Sequence, residues 1–341
     1  MKAMRAAGEP RLGHEQRMLV VDAASGELSD ERVTSLAIHV RPGDVWVLND
    51  SATLPASLAG RIGDTDVELR LSGELSSGRW RAVLFGRGSW RDDTDRRHPP
   101  PRVSPGDTIA LGGSLRAHVE RVDPRSARLL EISFTPRGDA FWRALYAVGQ
   151  PVQYSYLLRE LELRELSTAF AGRPWSVELP SAGRPLTLER LRDLRRAGAA
   201  VVALTHAAGL SATGDPALDA LLPLPERYDI PDATAAAVMR ALSERRRVVA
   251  VGTSVTRALE GSFAAHGEVR PGPGETDLRL GPNTLRRVSC ALFTGAHDPS
   301  SSHYELLRAF ASSRLLERAS RFSAEHGYLA HELGDSWLIL A

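Results

Sequence analysis

The sequence predicts an α/β domain interrupted by an inserted antiparallel β-barrel. Before Gly138, short segments of alternating apolar and polar residues are separated by Gly, Ser or Pro clusters, which is typical of a compact all-β unit. After Gly138, apolar strands alternate with amphipathic helices, which is typical of a mainly parallel sheet covered on both faces. We therefore assign residues 1–56 and 139–341 to a discontinuous α/β domain, and residues 57–138 to the barrel-like insertion.

Short strands account for most of the chain before Gly138. Arg17–Asp22 and Asp44–Leu48 are predicted to be buried strands, and the second follows the turn Arg41-Pro42-Gly43-Asp44. The predicted strands of the barrel are Val67–Leu71, Trp80–Phe85, Thr108–Leu111, Ala117–Val122 and Leu129–Phe134. The stretch Arg91–Pro101 is rich in charge and ends in three prolines, so we expect an exposed loop.

Capped helices and apolar strands account for the rest. Asp139 is predicted to cap a helix that ends near Val148. Thr187 is predicted to cap the helix Leu188–Ala197, and Asp232 the helix Ala233–Arg246. The other predicted elements are strands at Ala199–Thr205, Val248–Val251, around Leu278, Val288–Phe293 and Trp337–Leu340, a helix from Val255 and a final helix at Tyr304–Glu325.

The composition narrows the classes of protein. The chain has 341 residues, 43% of them hydrophobic, and a net charge of +1, which argues against a protein that is coated with polyanion but leaves room for one basic patch. Lys2 is the only lysine; arginine suits phosphate recognition, although a GC-rich genome explains the bias more simply. The single cysteine, Cys290, excludes an intrachain disulfide framework and a Cys-cluster metal site. Because no apolar run is long enough for secretion or a membrane span, we expect a cytoplasmic protein.

One strand-to-helix junction has the features of a ligand cradle. The buried strand Val248–Val251 ends in Gly252, Thr253 and Ser254, where a helix begins. Free amides, the helix dipole and two hydroxyls would suit an anion or a ribose. The pattern matches neither the dinucleotide fingerprint nor the P-loop. The alternative is that Thr253 or Ser254 only caps the helix.

Two further loops carry titratable side chains. The turn-rich loop Pro271–Asp277 delivers two carboxylates, Glu275 and Asp277, that could bind ribose hydroxyls or remove a proton. The alternative is that Asp277 only braces the loop through an Asx turn. His297 follows a strand near the point where such sheets place ligands, and it titrates near neutrality, although most loop histidines are only solvated. His297 and His303 are six residues apart, which is not the spacing of a helical metal pair, so we expect no metal.

Eight short motifs occur in order from about Arg17 to the C-terminus. They are Val47–Ser51 with Asn49 and Asp50, continuing to Leu54–Ala56; Gly149–Leu157 with Tyr156; Pro180-Ser181-Ala182-Gly183; Glu226–Pro231; Ala250–Ser254 with Arg257 and Leu259-Glu260; Thr276-Asp277; Ala291–Ser301 with His297; and Tyr328 with Gly334-Asp335. No single motif is decisive, but the collinear set resembles the S-adenosylmethionine:tRNA ribosyltransferase-isomerase family of queuosine biosynthesis. The chain is identified as a divergent member of that family.

The resemblance implies both a fold and a reaction. The family has an α/β domain with an inserted antiparallel barrel. Its members transfer the ribosyl group of S-adenosylmethionine, a consumed co-substrate, to 7-aminomethyl-7-deazaguanine in the tRNA anticodon and isomerise it to the epoxide of epoxyqueuosine. Adenine and methionine leave, no metal is required, and we expect a monomer.

Roles for individual residues follow from the same resemblance. His297 and Asp277 become the catalytic candidates, as the base beside the sulfonium and as partners of departing adenine. Thr253, Ser254 and Arg257 would hold the nucleoside or a phosphate. The remaining substrate-binding candidates are Asn49, Asp50, Tyr156, Ser181, Gly183, Gly252, Thr276 and Ser301.

Several polar residues of the family motifs are replaced in this chain. Gln150 stands in place of a histidine, Pro223-Leu224 in place of Met-His, and Ala52 and Ser57 in place of arginines. These replacements leave two alternatives open. The first is an enzyme that uses S-adenosylmethionine or a similar nucleoside on a different acceptor. The second is a non-catalytic protein that binds nucleic acid or a nucleoside on the same scaffold.

The shape and charge of the pocket would separate these hypotheses. A basic surface facing the pocket would favour the reaction on tRNA. A neutral, closed pocket that retains His297 and Asp277 would favour a different acceptor. A filled or collapsed pocket would favour a protein that only binds.

Overall fold

The computed structural model describes residues 4–11, 14–75, 78–299 and 301–341, without the side chain of Ser302. The strands are β1 (Arg5–Ala6), β2 (Arg17–Asp22), β3 (Leu28–Arg32), β4 (Val45–Asn49), β5 (Ala52–Thr53), β6 (Ser57–Ile62), β7 (Thr65–Glu74), β8 (Trp80–Phe85), β9 (Thr108–Ala110), β10 (Arg116–Val122), β11 (Leu129–Thr135), β12 (Pro174–Ser176), β13 (Ala200–His206), β14 (Glu226–Ile230), β15 (Val248–Val251), β16 (Gly272–Thr276), β17 (Ala291–Gly295), β18 (Leu329–Ala330) and β19 (Ser336–Leu340). The helices are α1 (Asp139–Val148), α2 (Leu188–Arg196), α3 (Pro216–Asp219), α4 (Asp232–Ser243), α5 (Thr253–His266), α6 (Ser302–Leu307) and α7 (Ser313–Glu325).

A nine-stranded sheet forms the α/β part of the protein. Its strand order is β16-β14-β13-β4-β15-β17-β19-β2-β3. The four central strands, β13, β4, β15 and β17, are parallel, whereas β14, β16 and β3 pair antiparallel at the edges. Strand β19 pairs antiparallel with β17 and parallel with β2, so four of the eight pairings are parallel and the expectation of a mainly parallel sheet is wrong. One physical reason is that an antiparallel neighbour needs only a short turn, such as the one between β2 and β3, whereas a parallel neighbour needs a crossover.

Both faces of the sheet are covered, as the alternation along its strands requires. In β4, Val45 and Val47 point to the face covered by α4, α5 and α7. Trp46 and Leu48 point to the opposite face, against α2 and the short 3-10 helix that begins at Val33. Because successive side chains of a strand alternate between faces, one apolar strand contributes to two cores. Because helices pack on both faces, the central strands and their carboxyl ends are held in fixed positions.

Six antiparallel strands close the barrel in the order β10-β11-β8-β7-β6-β9. This confirms the predicted fold class; the domain boundaries remain a prediction. Helix α1 packs on the barrel through Phe141, whose ring lies 4.8 Å from that of Phe134 and 5.9 Å from that of Trp80. The predicted exposure of the loop Arg91–Pro101 is wrong at Arg97, because its guanidinium is buried and pairs with Glu68 at 2.6 Å.

Helix ends agree with the predictions in one case and differ in others. Thr187 caps α2, since its hydroxyl accepts from the amide of Arg190 at 3.3 Å. Asp139 and Asp232 do not cap; each is the first residue of its helix, where a carboxylate still interacts favourably with the helix dipole. The predicted final helix is two helices, α6 and α7, because Ser312 caps a new start.

Other bounds are shifted. Helix α5 begins two residues before the predicted Val255, β17 begins at Ala291 rather than Val288, and no strand forms at Leu278, since β16 ends at Thr276. None of the helices in the described part of the chain is long and apolar enough to cross a membrane.

Candidate functional site

A cleft of about 750 Å³ opens at the carboxyl ends of the central parallel strands. Its sheet side is formed by residues that end or follow β15 and β17, which include Val251 and Thr294. Its other side comes from the segment after β13 that packs on the barrel, for example Leu222, and from Asp95 in the loop of the barrel. Ligands of α/β sheets bind at this edge, so the position supports a ligand site. The cleft is open rather than filled or collapsed.

The junction between β15 and α5 forms one wall of the cleft. Gly252 has φ +99°, a conformation that favours glycine, and its amide donates to the carbonyl of Phe293 at 2.8 Å. Gly252 is also the N-cap residue and no side chain caps the helix, so the capping alternative for Thr253 and Ser254 is wrong. Both residues line the cleft instead. The first turn of a helix and two hydroxyl-bearing residues therefore line the cleft, a combination that suits an anion or a ribose.

Arg257 lines the cleft, but its guanidinium is held from behind. It forms an ion pair with Glu226, and its Nε donates to the carbonyl of Leu278 at 3.0 Å. Glu226 also accepts from the amide of Gly209 at 2.6 Å, and its carboxylate lies 3.4 Å from Nε2 of the buried His206. These contacts leave Arg257 few directions in which to bind a ligand, so it acts chiefly as a fixed part of the wall.

His206 is neutral at physiological pH. Its burial lowers its pKa to about 4; Glu226 opposes this effect and Arg257 adds to it. Among the described residues, neither nitrogen of its ring has a hydrogen-bond partner. The residue therefore sits behind the cleft wall as an uncharged ring.

His297 lies on the cleft wall beside two other histidines. Its Nε2 lies 2.8 Å from Oγ1 of Thr294, and its ring stacks on that of His303 with centroids 5.1 Å apart. Burial lowers the pKa of His297 well below its usual value, and His303 and His331 lower it further. His297 is therefore a neutral imidazole, which can act as a proton acceptor or a hydrogen-bond partner but not as a general acid.

A second wall carries two carboxylates that the motifs do not single out. Glu178 accepts a hydrogen bond from the hydroxyl of Tyr154 and another from the amide of Ser211 at 2.9 Å. Glu332 accepts from the hydroxyl of Tyr156. The pKa of Glu178 is raised to about 7, mainly by burial and then by repulsion from Glu332, while the hydrogen bonds from Tyr154 and Ser211 oppose the shift.

Eight of the predicted site residues gather on this one cleft. They are Tyr156, Ser181, Gly252, Thr253, Ser254, Arg257, His297 and Ser301. Ser301 also caps α6, since its hydroxyl accepts from the amide of Tyr304 at 3.2 Å. Within the described ranges, no three His, Cys, Asp or Glu residues are grouped so that they could hold a metal ion.

The other five predicted residues lie off the cleft, and all of them except Asp277 are buried or bonded in the structure behind it. Asn49 bonds to both main-chain groups of His206, at 2.9 and 3.0 Å, and Asp50 accepts from Thr205 at 2.6 Å. Thr276 Oγ1 accepts from the amide of Leu278 at 3.1 Å.

Gly183 and Asp277 complete this group. A Cβ at Gly183 would lie 2.7 Å from the ring of Phe170, so the glycine is needed for close packing. The side chain of Asp277 is exposed and outside the cleft.

Sequence reasoning missed Tyr154, Glu178 and Glu332. Each lies within or two residues from a recognised motif: Tyr154 inside Gly149–Leu157, Glu178 before Pro180, and Glu332 before Gly334. Their closeness to the motifs was the sequence signal that could have identified these three residues. Motif matching alone passes over residues that stand beside a motif.

Comparison with known proteins identifies the family of this chain. The profile of the family described as "Queuosine biosynthesis protein" matches residues 3–339. A curated relative from Thermus thermophilus, named S-adenosylmethionine:tRNA ribosyltransferase-isomerase, is 36% identical over 332 residues, which cover 95% of this chain and 92% of the relative. A relative of the same name from Parvibaculum lavamentivorans is 31% identical over 336 residues, covering 95% and 91%.

A solved structure shares the fold. It is the crystal structure of an S-adenosylmethionine tRNA ribosyltransferase from Thermotoga maritima, with a TM-score of 0.54 and 23% identity, and the match covers 98% of this chain and 96% of that one. The family match spans nearly the whole chain, and the resemblance inferred from the motifs is confirmed. This protein belongs to the family of queuosine biosynthesis proteins.

Proposed function

We propose that this protein transfers the ribosyl moiety of S-adenosylmethionine to 7-aminomethyl-7-deazaguanine in tRNA and isomerises it. The product is epoxyqueuosine in the tRNA, and adenine and methionine are released. S-adenosylmethionine is a consumed co-substrate in this reaction. The names of the curated relatives support the proposal, because the match to them spans more than nine tenths of each chain.

One observation from the structure carries the proposal. Residues from motifs that are far apart in the sequence, such as Tyr156, Ser181, Ser254 and His297, meet on the wall of a single open cleft. An open cleft of about 750 Å³ lies within the range of small-ligand sites, so it has room for a nucleoside co-substrate. The collapsed pocket expected of a protein that only binds is not found in the described part of the chain.

The residues at the cleft suit the required steps. The amides at the start of α5 and the hydroxyls of Thr253 and Ser254 can hold ribose hydroxyls or the methionine carboxylate. The neutral imidazole of His297 can accept the proton from the carbon beside the sulfonium, whose positive charge acidifies that carbon. The proton passes to the imidazole and its electron pair stays on the carbon beside the sulfonium. Adenine leaves when its glycosidic C–N bond breaks; it keeps the electron pair of that bond and takes up a proton.

The proposed partner is the anticodon region of a tRNA. Besides the paired Glu226, carboxylates on the cleft wall include Glu178, Glu305 and Glu332, so the cleft suits a base and a cationic co-substrate better than phosphates. The tRNA backbone would therefore contact the protein outside the cleft, with only the modified base inside it. We further propose a monomeric, cytoplasmic protein without a catalytic metal.

The test is an assay with S-adenosylmethionine and tRNA that bears 7-aminomethyl-7-deazaguanine. Adenine release is followed by chromatography and the modified nucleoside by mass spectrometry, with unmodified tRNA as the negative control. We expect one adenine released for each epoxyqueuosine formed. Ser254→Ala should slow both, whereas Ser243→Ala, exposed at the end of α4, should change neither. Binding of S-adenosylmethionine without adenine release would overturn the proposal.

A further inference from the structure

Glu178 and Glu332 form a pair of carboxylates without a counter-ion on one wall of the cleft. No arginine, lysine or histidine in the described part of the chain lies within 4.0 Å of either carboxylate. Their hydrogen bonds come from neutral donors: the hydroxyls of Tyr154, Tyr156 and Ser211 and one amide. By contrast, Glu226 on the same cleft is paired with Arg257. The pair therefore differs from Glu226, which has its own counter-ion on the same cleft.

The hydrogen bonds leave one oxygen of each carboxylate available. Tyr154 and Ser211 both bond to Oε1 of Glu178, and Tyr156 bonds to Oε2 of Glu332. No hydrogen bond among the described residues reaches the second oxygen of either group. Two oriented carboxylates with free oxygens suit a ligand that donates hydrogen bonds or carries positive charge.

Aromatic rings fix this wall. The rings of Tyr154 and Tyr156 stack with centroids 6.0 Å apart, and Tyr156 stacks on His331 with centroids 4.7 Å apart. Burial, with the adjacent carboxylates, raises the pKa of both tyrosines well above the usual value, so the phenols remain donors. Aromatic faces beside carboxylates are a common environment for ammonium and sulfonium groups.

Gln153 places a buried, unpartnered hydrogen-bond donor beside the two carboxylates. Its side chain is only 3% exposed, its Oε1 accepts from the amide of Leu161 at 2.7 Å, and its Nε2 has no partner. Gln153 lines a small cavity of about 20 Å³ together with Glu178 and Glu332. A buried donor without an acceptor is unfavourable, and this volume can hold one water molecule or a polar atom of a ligand.

We propose that Glu178 and Glu332, with Tyr156 and His331, form a subsite for an organic cation. This inference rests on the proposed function for the identity of the cation, which has two sources there. One is the sulfonium or ammonium of S-adenosylmethionine, and the other is the primary ammonium of the aminomethyl group on the acceptor base. The raised pKa of Glu178 results from burial first and from the negative charge of Glu332 second, which agrees with two adjacent carboxylates.

The test compares cationic ligands with neutral analogues in binding measurements by calorimetry. S-adenosylmethionine is compared with S-adenosylhomocysteine, which lacks the sulfonium charge. tRNA bearing 7-aminomethyl-7-deazaguanine is compared with tRNA bearing the neutral 7-hydroxymethyl analogue. We expect the wild type to prefer the cationic member of at least one pair by about 10-fold or more, the size of a charge-assisted hydrogen bond.

Glu178→Gln and Glu332→Gln remove charge and keep shape, and each should reduce that preference to near unity. Glu244→Gln is the matched control, because Glu244 lies outside the cleft and is paired with Arg246 at 2.9 Å. Loss of preference in the first ligand pair assigns the co-substrate as the source, and loss in the second assigns the acceptor. Thermal melts identify a variant that fails to fold. If one variant does not fold, the ligand preference of the other variant tests the proposal.

The outcomes separate this inference from the proposed function. Adenine release by the wild type, with preferences unchanged in both variants, would overturn the cation subsite and leave the function standing. A wild type that prefers cations but never releases adenine would overturn the function and support the subsite. A wild type with no preference in either pair would overturn the subsite directly.

Discussion

His297 and Asp277 were both predicted to be catalytic, and the structure separates them. The imidazole of His297 lies on the cleft wall, whereas the carboxylate of Asp277 is exposed and outside the cleft. His297→Ala should lower kcat by roughly 10²- to 10⁴-fold, the contribution of a positioned acid or base. Asp277→Ala should keep near wild-type turnover. Steady-state kinetics on modified tRNA measure both, and a large loss with Asp277→Ala would show that the loop closes over the cleft.

His206 predicts how stability depends on pH. Its pKa is about 4 in the folded protein, against 6.5 as the ordinary value, so folding favours its neutral form. The stability that the neutral form contributes is fully present above about pH 6.5 and is lost as the pH falls towards 4. Over that range the free energy of unfolding should decrease by about 3 kcal/mol. In the His206→Leu variant, the free energy of unfolding should not show this loss between pH 6.5 and pH 4. Urea unfolding at pH 7 and pH 4 measures it; parallel losses in the wild type and the variant would contradict the prediction.

At the same scale, the sequence identifies residues in motifs better than residues beside them. Ser254 and His297 stand in recognisable motifs, and both face the cleft. Glu178 was not predicted, because its character comes from residues distant in sequence: Glu332, Tyr154 and Ser211. A carboxylate in a sequence has no burial and no neighbours until the chain is folded. Sequence motifs therefore identify residues of the site, but they do not predict the pKa shifts that these residues acquire in the folded protein.

Among the elements, strand β7 carries the most demanding polar contacts of the barrel. Glu68 forms ion pairs at 2.6 Å with Arg70 and Arg97, and both arginine side chains are only 1% exposed. Glu68→Gln would leave two buried guanidinium groups without a counter-charge, which should lower the free energy of unfolding by about 3–5 kcal/mol. Equilibrium unfolding in urea, followed by tryptophan fluorescence, measures this loss.

Asp66→Asn in the same strand is the matched control. Asp66 pairs with Arg61 at 3.3 Å, but both side chains are more than half exposed, so the loss should stay below about 1 kcal/mol. Equal effects of the two substitutions would show that burial of the Glu68 network does not matter for stability. The network also explains why the loop Arg91–Pro101 is not the free loop that its composition indicates: Arg97 anchors it to the barrel.

Elements with strong local signals were predicted well. Arg17–Asp22, Trp80–Phe85 and Val248–Val251 have the predicted bounds, because a short apolar run between turn residues defines a strand locally. The break between α6 and α7 was missed, although Ser312 is a standard capping residue, since the apolar periodicity continues across it. Strand β14 was missed because its pairing with β13 and β16 is a tertiary property.

For the whole molecule, the cleft lies between the sheet and the segment that packs on the barrel. Ala208–Ala212 and Asp219–Pro223 supply one side, while Gly252–Ser254 and the residues around His297 supply the other. A ligand that contacts both sides would stabilise both against local opening, because it binds only when they are in place. Binding should therefore protect distant parts of the sequence together.

Hydrogen–deuterium exchange with and without S-adenosylmethionine tests this coupling. At a ligand concentration 100 times Kd, the folded state gains about 2.7 kcal/mol, so amides in both Ala208–Pro223 and the first turn of α5 should exchange more slowly. The far side of the barrel, for example β10, should change little and serves as the internal control. Protection confined to α5 would mean that the co-substrate contacts the sheet side alone, and that the barrel side of the cleft is reserved for the acceptor.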